Sequence, residues 1–484
     1  GDNGVFFDID GFDLNAEDGL VLENVTSDLV IDTIVDGDVH TSSAMVHLQT
    51  VQNDADSDSA HVYATNISTN IDISVLGEGH LQAESDMVYA ENITGLEVYA
   101  NDYIYIANLT SSVNLDVDLL GEGSADADLV DIGSVHSAYF DSSGSSVEIQ
   151  QADIDLTIDV NIESAAVDGL AAGDNAVEIS NVSGLYALGR EFEMADFDVY
   201  VDINATADQD DAQITATALG LDLRGVGGSG DYGELVDLSR GDIAISTSVT
   251  TGGLLGGESG EVAYAESVGV WLDESNLMLE DVTIEAYAGA ESLNPVGDAR
   301  AESYGLWVTS ATYVGLDISA DEKITSSAVA SGEASIAYAN AVYVDGDYLN
   351  VDNAGVISAN ADAGDYGEAT AVAMNLQIDD GSFAYVEQSD IVAADAFTLE
   401  NSGEISAHVS AGGYATGIQM DFYGVDTTDV VINNREGGVI SATADESYGV
   451  AIAISADSDV LITNDGTITG AVRTGHGDDS FYNN

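Results

Sequence analysis

LNVDNAGVISANA (349–361) is the first of four copies of one sequence pattern. The other copies are FTLENSGEISAHV (397–409), VINNREGGVISATA (431–444) and VLITNDGTITGAV (460–472). In each copy apolar residues lie two and four positions before an Asn, and a Gly, an Ile and alternating small residues follow. Period-two alternation predicts β-strands rather than helices. The Asn and Gly between the alternating pieces indicate a turn. Each copy therefore predicts a strand, a corner and a second strand.

The spacing of the copies indicates how these units are arranged. The aligned residues Asn353, Asn401, Asn434 and Asn464 are 48, 33 and 30 residues apart. Such periods are typical of solenoids, in which each repeat covers the core of the next. We predict that Ile357, Ile405, Ile440 and Ile468 point into the core. Gly355, Gly403 and Gly466 are expected to have positive φ at the corners.

The first half of the chain carries a more diverged pattern. NISTNIDISVLGEG (66–79) and NLTSSVNLDVDLLGEG (108–123) match closely, and NVTSDLVIDTIVDGD (24–38) resembles an earlier copy. The sequence therefore predicts an all-β, elongated solenoid in two segments that form one rod. These segments are a diverged one over 1–263 and one with Asn-x-Gly-x-Ile repeats over 264–484.

The charge is extreme and narrows the partners. The 484 residues include 88 acidic side chains but only seven Lys and Arg, which gives a net charge of −81. This charge disfavours nucleic acid, anionic lipid and acidic polysaccharide as partners. The chain has no cysteine, so disulfides and zinc–thiolate sites are excluded. It also has no uninterrupted apolar stretch of the ~18 residues that a membrane span requires, so we expect no membrane insertion by this segment.

Acidic clusters are the candidate metal ligands. Asp478 and Asp479 in TGHGDDSFYNN (474–484) resemble half of the glycine–aspartate nonapeptide of the repeats-in-toxin family, which implies calcium at a turn. Asp54, Asp56 and Asp58 alternate, so a strand would place them on one face, where a hard cation can bind. The alternative for both clusters is solvated acidic side chains. Ca²⁺ is the cofactor to test.

Catalytic motifs are lacking. The seven histidines show no metal-ligand spacing, and there is neither a Gly-x-Ser-x-Gly elbow nor a phosphate-binding loop. Six Asn-x-Ser/Thr sequons lie in the first 204 residues, where the repeat pattern itself would generate them. Tyr99, Tyr103 and Tyr105 are candidates for a sugar- or protein-binding strip, and stacking between coils is the alternative.

The Asn-x-Gly-x-Ile repeats and the GDDSFYN step (477–483) resemble the passenger regions of bacterial autotransporters and related large surface adhesins. The resemblance is strong over 264–484 and weak over 1–263. It implies a right-handed parallel β-helix at the bacterial cell surface, outside the cell. Members of that family also have a C-terminal membrane barrel. The chain ends at Asn484 without one, and we expect that the barrel is missing from this sequence. The acidity is similar to that of surface-layer proteins.

Two functions follow as expectations. The first is a non-enzymatic structural or adhesive surface rod that binds divalent cations. Its expected partners are surface glycans, other surface proteins or further copies of itself. The alternative is a carbohydrate-active β-helix enzyme, a polysaccharide hydrolase or lyase. A deep groove with aromatic walls and paired carboxylates would favour the enzyme, and a smooth rod with bound cations would favour the first function.

Overall fold

The fold is known from a computed structural model. It describes all residues except 1–4, 17–18, 42, 58–60, 121, 126, 143–144, 164–175, 209–211, 227–234, 253–260, 294–296, 365–366, 380–396, 411, 424–429, 446–448 and 456–458. The described residues form 30 β-strands and no helix. Every strand pair is parallel, and the sheet nearly closes around an axis. The predicted all-β parallel solenoid is therefore confirmed.

The strands form ladders that run along the axis, because each strand pairs with its equivalents one coil before and one coil after. The first ladder contains β1 (Val5–Ala16), β3 (Val46–Ser57), β5 (Val88–Ala100), β8 (Val130–Ser142), β10 (Val177–Gly189), β12 (Ile214–Val226), β14 (Glu261–Asp273), β16 (Asp298–Ile318), β18 (Ile336–Asn353), β20 (Glu368–Asp379), β23 (Gly413–Tyr423), β26 (Val450–Ser455) and β29 (Ala471–Arg473).

The second ladder contains β2 (Leu20–Thr41), β4 (His61–Ala83), β6 (Tyr103–Leu119), β9 (Ser146–Ile162), β11 (Glu191–Ala207), β13 (Leu235–Thr251), β15 (Asn276–Ser292), β17 (Lys323–Ser331), β19 (Val356–Asp362), β22 (Glu404–Val409), β25 (Val439–Ala444) and β28 (Thr467–Thr469), with β7 (Glu122–Ala125) also paired to β4. Towards the C-terminus a third ladder begins at β15 and runs through the C-terminal parts of β16 and β18. Its further strands are β21 (Phe397–Asn401), β24 (Val430–Asn434), β27 (Val460–Asn464) and β30 (Ser480–Asn483).

The second ladder bends at one corner, which is built in two ways. In the first half the corner is a single left-handed residue with φ between 53° and 60°, and these residues are Asn24, Asn66, Asn108, Gln151, Asp196, Arg240 and Asp281. Asn tolerates this conformation better than most residues. The Asn66 amide donates to Asn24 Oδ1, and the Asn108 amide to Asn66 Oδ1, each at 3.0 Å.

In the C-terminal coils a ladder of buried asparagines replaces the left-handed residue. Each Asn Nδ2 donates to Oδ1 of the next, from Asn353 through Asn401, Asn434 and Asn464 to Asn483, at 2.6–2.8 Å. Their amides also reach backbone carbonyls, for example that of Val439 at 3.3 Å. Buried amides must be hydrogen-bonded, so each coil depends on the next coil for this bond.

The prediction of positive φ at the corner glycines is wrong. Gly355, Gly403 and Gly466 do not have positive φ, whereas Gly437, which the sequence aligns with them, has φ 91°. These glycines are required because successive coils approach closely. A Cβ on Gly403 would lie 2.1 Å from the Gly355 carbonyl oxygen, and one on Gly466 would lie 2.2 Å from that of Gly438.

One continuous apolar cluster fills the inside of the solenoid. Ile357, Ile405 and Ile440 are fully buried in it, as predicted, and Ile468 is half-buried against it. The alternation of buried and half-exposed residues along β4, β6 and β9 places their acidic side chains outside.

Neutral donors satisfy many of the outer carboxylates. Tyr hydroxyls donate to a Glu two residues away on the same strand face, in the pairs Tyr89–Glu91, Tyr99–Glu97, Tyr264–Glu266 and Tyr304–Glu302. Asn amides donate to Asp side chains of the preceding coil, in the pairs Asn70–Asp28, Asn114–Asp72, Asn161–Asp118 and Asn204–Asp159. These bonds offset part of the repulsion between the acidic side chains on the parallel ladders.

Candidate ligand cleft

The first ladder bends within each strand, and the bend forms a concave elbow on the outside of the rod. On one side of the elbow lie left-handed residues of three successive coils: Asn92, Ser134 and Asn181, with φ between 53° and 55°. The Asn181 amide donates to the Ser134 hydroxyl at 2.8 Å. Together with Thr50 and Gln52 of β3, these residues form a polar wall.

The floor of the elbow is one row of in-register residues. Thr94 of β5 pairs with His136 of β8, which pairs with Ser183 of β10. All three are buried, with relative exposures of 5%, 6% and 1%. His136 Nδ1 lies 2.8 Å from the Ser183 hydroxyl, and burial lowers the His136 pKa to about 4. The imidazole is therefore neutral at neutral pH, and the floor is polar but uncharged.

Aromatic side chains form the opposite wall. Tyr139 and Tyr186 stack with ring centroids 5.0 Å apart and planes 14° apart, and Tyr99 lies 5.7 Å from Tyr139. Since the ring separation is close to the ~4.8 Å spacing of strands, the faces of the two stacked rings cover each other. The ring edges are left for a ligand, whereas the Tyr99 hydroxyl already donates to Glu97. Burial raises the Tyr139 pKa to about 12, so this hydroxyl stays a donor.

Arg224 closes one end of this depression. Its guanidinium lies 4.0 Å above the Trp271 ring, and its Nε donates to Asp222 Oδ1 at 2.8 Å. Nη2 donates to the second oxygen of Asp222, whose side chain is fully buried. Because this bidentate pair neutralises the arginine, the end wall presents little net charge. We call this depression the cleft. It has a volume of about 590 Å³.

The same elbow is filled in the following coils. The floor row continues from Ser183 to Leu219, Val268 and Tyr304. These three residues pack with Trp271, Trp307 and Tyr338 into a small apolar cluster separate from the main core. The cleft is thus open where the floor residues are Thr, His and Ser, and filled where they are Leu, Val and Tyr.

The cleft also carries a carboxylate. Glu97, on the aromatic wall, accepts a hydrogen bond from the Tyr99 hydroxyl, and burial raises its pKa. Asp54 is in register with Glu97 on the neighbouring strand. Its Oδ1 is buried without a hydrogen-bond partner. Burial and the charge of Glu97 raise the Asp54 pKa to about 6. Asp54 and Glu97 therefore both have raised pKa values, because each is partly buried close to other carboxylates.

The structure places the other predicted ligands as follows. Asp54 and Asp56 do share one face, as the alternation predicted, and Asp56 accepts a hydrogen bond from Asn15 at 3.3 Å. Asp58 lies outside the described residues. Asp478 and Asp479 are exposed, and Asp479 accepts hydrogen bonds from the Thr474 hydroxyl at 2.7 Å and from the Val460 amide at 3.3 Å. Asp479 therefore links two coils, and calcium binding there stays a prediction.

A different acidic group brings three carboxylates together. Ligand oxygens of Asp86, Asp128 and Asp131 lie within 4.8 Å of one another, the one such group among the described residues. Burial and the neighbouring charges of Asp86 and Glu178 raise the Asp131 pKa to about 6. A hard cation such as Ca²⁺ could use these oxygens. The sequence did not reveal this group, since Asp86 lies one coil before Asp128 and Asp131.

A second depression, of about 720 Å³, lies at the left-handed corner. Arg240 donates there to both oxygens of Asp196, at 2.8 and 3.2 Å, and both side chains are exposed. The other lining residues are mostly acidic, including Asp198, Asp242 and Asp281. It provides one exposed ion pair but no buried polar floor, so the cleft is the better candidate site.

Sequence reasoning found little of the cleft. Of the three tyrosines predicted to form a strip, Tyr99 lines the cleft, whereas Tyr103 and Tyr105 lie on β6 beside Tyr63, outside it. The Asn-x-Ser/Thr sequons were the feature of the sequence that could have indicated the floor. Thr94 and Ser183 of the floor are the third residues of the sequons that begin at the corner residues Asn92 and Asn181.

No helix among the described residues is long and apolar enough to cross a membrane. Comparisons with known proteins give no match, since no family model fits the chain and neither a curated protein nor a solved structure is significantly similar to it.

Proposed function

We propose that the protein is an extracellular structural or adhesive surface rod, without enzymatic activity, that holds its partner in the cleft. The observation that carries this proposal is the cleft itself, which has a buried polar floor and aromatic edges and crosses five strands of the first ladder. Ligand sites combine a concave shape with a few converging polar groups. The rest of the ladder supplies length and rigidity, since its acids are held by neighbouring side chains.

The surroundings of the cleft support adhesion more than catalysis. The Glu97 carboxylate is already engaged by Tyr99, and the cationic Arg224 is held by Asp222. Bacterial surface adhesins remain the family that the repeats resemble. The partner is a surface glycan, another surface protein or a second copy of the rod.

The test is adhesion to an immobilised rod. The full chain is coupled to beads, and the beads are presented to bacterial and host cell surfaces with bare beads as the control. We expect adhesion that a Tyr139→Ala change weakens, because Tyr139 stands in the middle of the aromatic wall. Beads that bind no surface, and do not bind one another, would contradict the proposed role.

A polysaccharide hydrolase is the second candidate, and one observation favours it. Asp54 and Glu97 lie in register on adjacent strands, the pKa of Asp54 is raised to about 6, and Glu97 lies at the cleft wall. The ~4.8 Å strand spacing is near the carboxylate separation of retaining glycosidases, about 5–5.5 Å. The rod is incubated with soluble polysaccharides and the new reducing ends are counted. Activity lost in Asp54→Asn would establish the hydrolase and reject the non-enzymatic role.

A further inference from the structure

We propose that the cleft binds an uncharged glycan chain that lies along the rod axis. This inference rests on the proposed adhesive function and names the chemical class of the ligand. The lining residues come from β3, β5, β8, β10 and β12, four strand steps in one direction. At ~4.8 Å per step, the cleft spans about 19 Å along the axis, which suits an extended oligomer better than a compact small molecule.

The floor offers hydrogen bonds to a polar ligand that carries no charge. Thr94 is nine-tenths buried, and the described residues provide no hydrogen-bond partner for its hydroxyl. The Thr94 hydroxyl lines the cleft, so a ligand hydroxyl can form a hydrogen bond with it. The neutral His136 imidazole and the amides of Gln52 and Asn92 add donors and acceptors along the same line.

The wall presents tyrosine edges and hydroxyls rather than open ring faces, because Tyr139 and Tyr186 stack on each other. Phenolic hydroxyls that are neutral donors pair well with the many hydroxyls of a sugar chain. A peptide fits the cleft less well than a sugar chain. Residues of the floor pair with neighbouring strands on both sides, so no free strand edge is available for a peptide backbone.

Electrostatics exclude the acidic glycans. The net charge of −81 repels uronate and sulfate chains. The one arginine of the cleft is held in a bidentate pair with a fully buried aspartate. For an amino-sugar chain the cleft offers one carboxylate, that of Glu97, and one oxygen of this carboxylate already accepts a hydrogen bond from the Tyr99 hydroxyl. The remaining class is the neutral, polyhydroxylated chain.

The filled half of the elbow provides the test variant. The double change His136→Leu and Ser183→Val introduces the floor residues of the following coils, Leu219 and Val268, into the open half. It should fill the floor without removing core packing. The matched control is Val268→Thr, which changes the same row outside the cleft.

The full-length rod and both variants are titrated calorimetrically with hexasaccharides of neutral glucose, galacturonate and glucosamine. Thermal melting of each variant reports folding. We expect neutral hexasaccharides to bind, the double variant to weaken that binding by tenfold or more while it still melts cooperatively, and Val268→Thr to bind like the parent. Preference for galacturonate or glucosamine, or neutral binding that the double variant leaves unchanged, would overturn the ligand class.

The same titrations separate this inference from the proposed function. If beads carrying the rod adhere to cells and no hexasaccharide binds, the glycan inference fails and the adhesive role stands, with a protein or a second rod as the partner. If the beads adhere to nothing, the adhesive role itself fails.

Discussion

Replacing Gly403 by alanine should open the solenoid locally. A Cβ at this position would lie 2.1 Å from the Gly355 carbonyl oxygen and 2.6 Å from the Ala354 carbonyl carbon, whereas real Cβ contacts stay above 3.0 Å. Both obstructing atoms belong to the backbone of the preceding coil, so no side chain can rotate away. The two coils must separate by about an ångström at this corner.

The cost can be worked out from the bonds at that corner. Overpacking a tight site costs roughly 1–3 kcal/mol. The separation also stretches the bond from the Glu404 amide to the Gly355 carbonyl (2.8 Å) and that from the Gly403 amide to the Asn353 carbonyl (3.0 Å). Each contributes about 1 kcal/mol. We therefore expect a loss of about 3–5 kcal/mol in local stability.

Gly412→Ala is the matched control, and it should raise local stability rather than lower it. Nothing lies within 4 Å of a Cβ at Gly412, and its φ is not positive. Replacing a glycine at such a site stabilises by about 0.4–1 kcal/mol, because the unfolded chain loses freedom.

Hydrogen exchange is the suitable assay, since repeat arrays can open segment by segment. Amides of β21 and β22 should exchange faster in Gly403→Ala and no faster in Gly412→Ala. If the two variants give equal protection, or if Gly403→Ala is the more protected, close coil approach is not the reason for the glycine.

Three further predictions concern the asparagine ladder, pH and calcium. Asn401→Leu should lower the free energy of unfolding in a urea titration by about 2–4 kcal/mol, since it removes three hydrogen bonds and leaves their buried partners unpaired. The control is Asn360→Leu, at an exposed position, which should change the free energy of unfolding little. Equal effects of the two variants would contradict the ladder's role. The pKa values of Asp54 and Asp131 are raised from 3.8 to about 6 in the folded state, so the folded chain binds more protons than the unfolded chain between these values. The free energy of unfolding should therefore rise as pH falls from about 6 to 4. Asp54→Asn should stabilise the rod at pH 7 but not at pH 4. An equal gain in stability at both pH values would show that the Asp54 pKa is not raised. Millimolar calcium should raise the melting temperature more than sodium at matched ionic strength, because an ion bound only by the folded state stabilises that state. Asp131→Asn should reduce the difference between the two salts. Identical melting curves in both salts would mean that the ions only screen the charge, and would contradict calcium binding.

The sequence predicted the ladders because period-two alternation and the Asn spacing are local signals. The pattern around Asn401 and Ile405 identified both the corner and the core position correctly. It gave the wrong reason for Gly403, because close approach between coils depends on a carbonyl of the preceding coil, and φ cannot be inferred from residue type alone.

The cleft was harder to predict, since its floor is assembled across coils of unequal length. Thr94, His136 and Ser183 are 42 and 47 residues apart, and the irregular spacing hides their common row. The stacking of Tyr139 on Tyr186 follows the same cross-coil register. Asp86, Asp128 and Asp131 converge for the same reason, whereas the Asp478 and Asp479 motif was visible only because it is contiguous.

A crystal structure of the rod with a bound neutral hexasaccharide would test the central claim most directly. We predict sugar density in the cleft, running along the rod axis between Asn92 and Tyr139, with a sugar hydroxyl bonded to Thr94. Density on the outer side of β9 and β11, or across the axis at another site, would contradict the account.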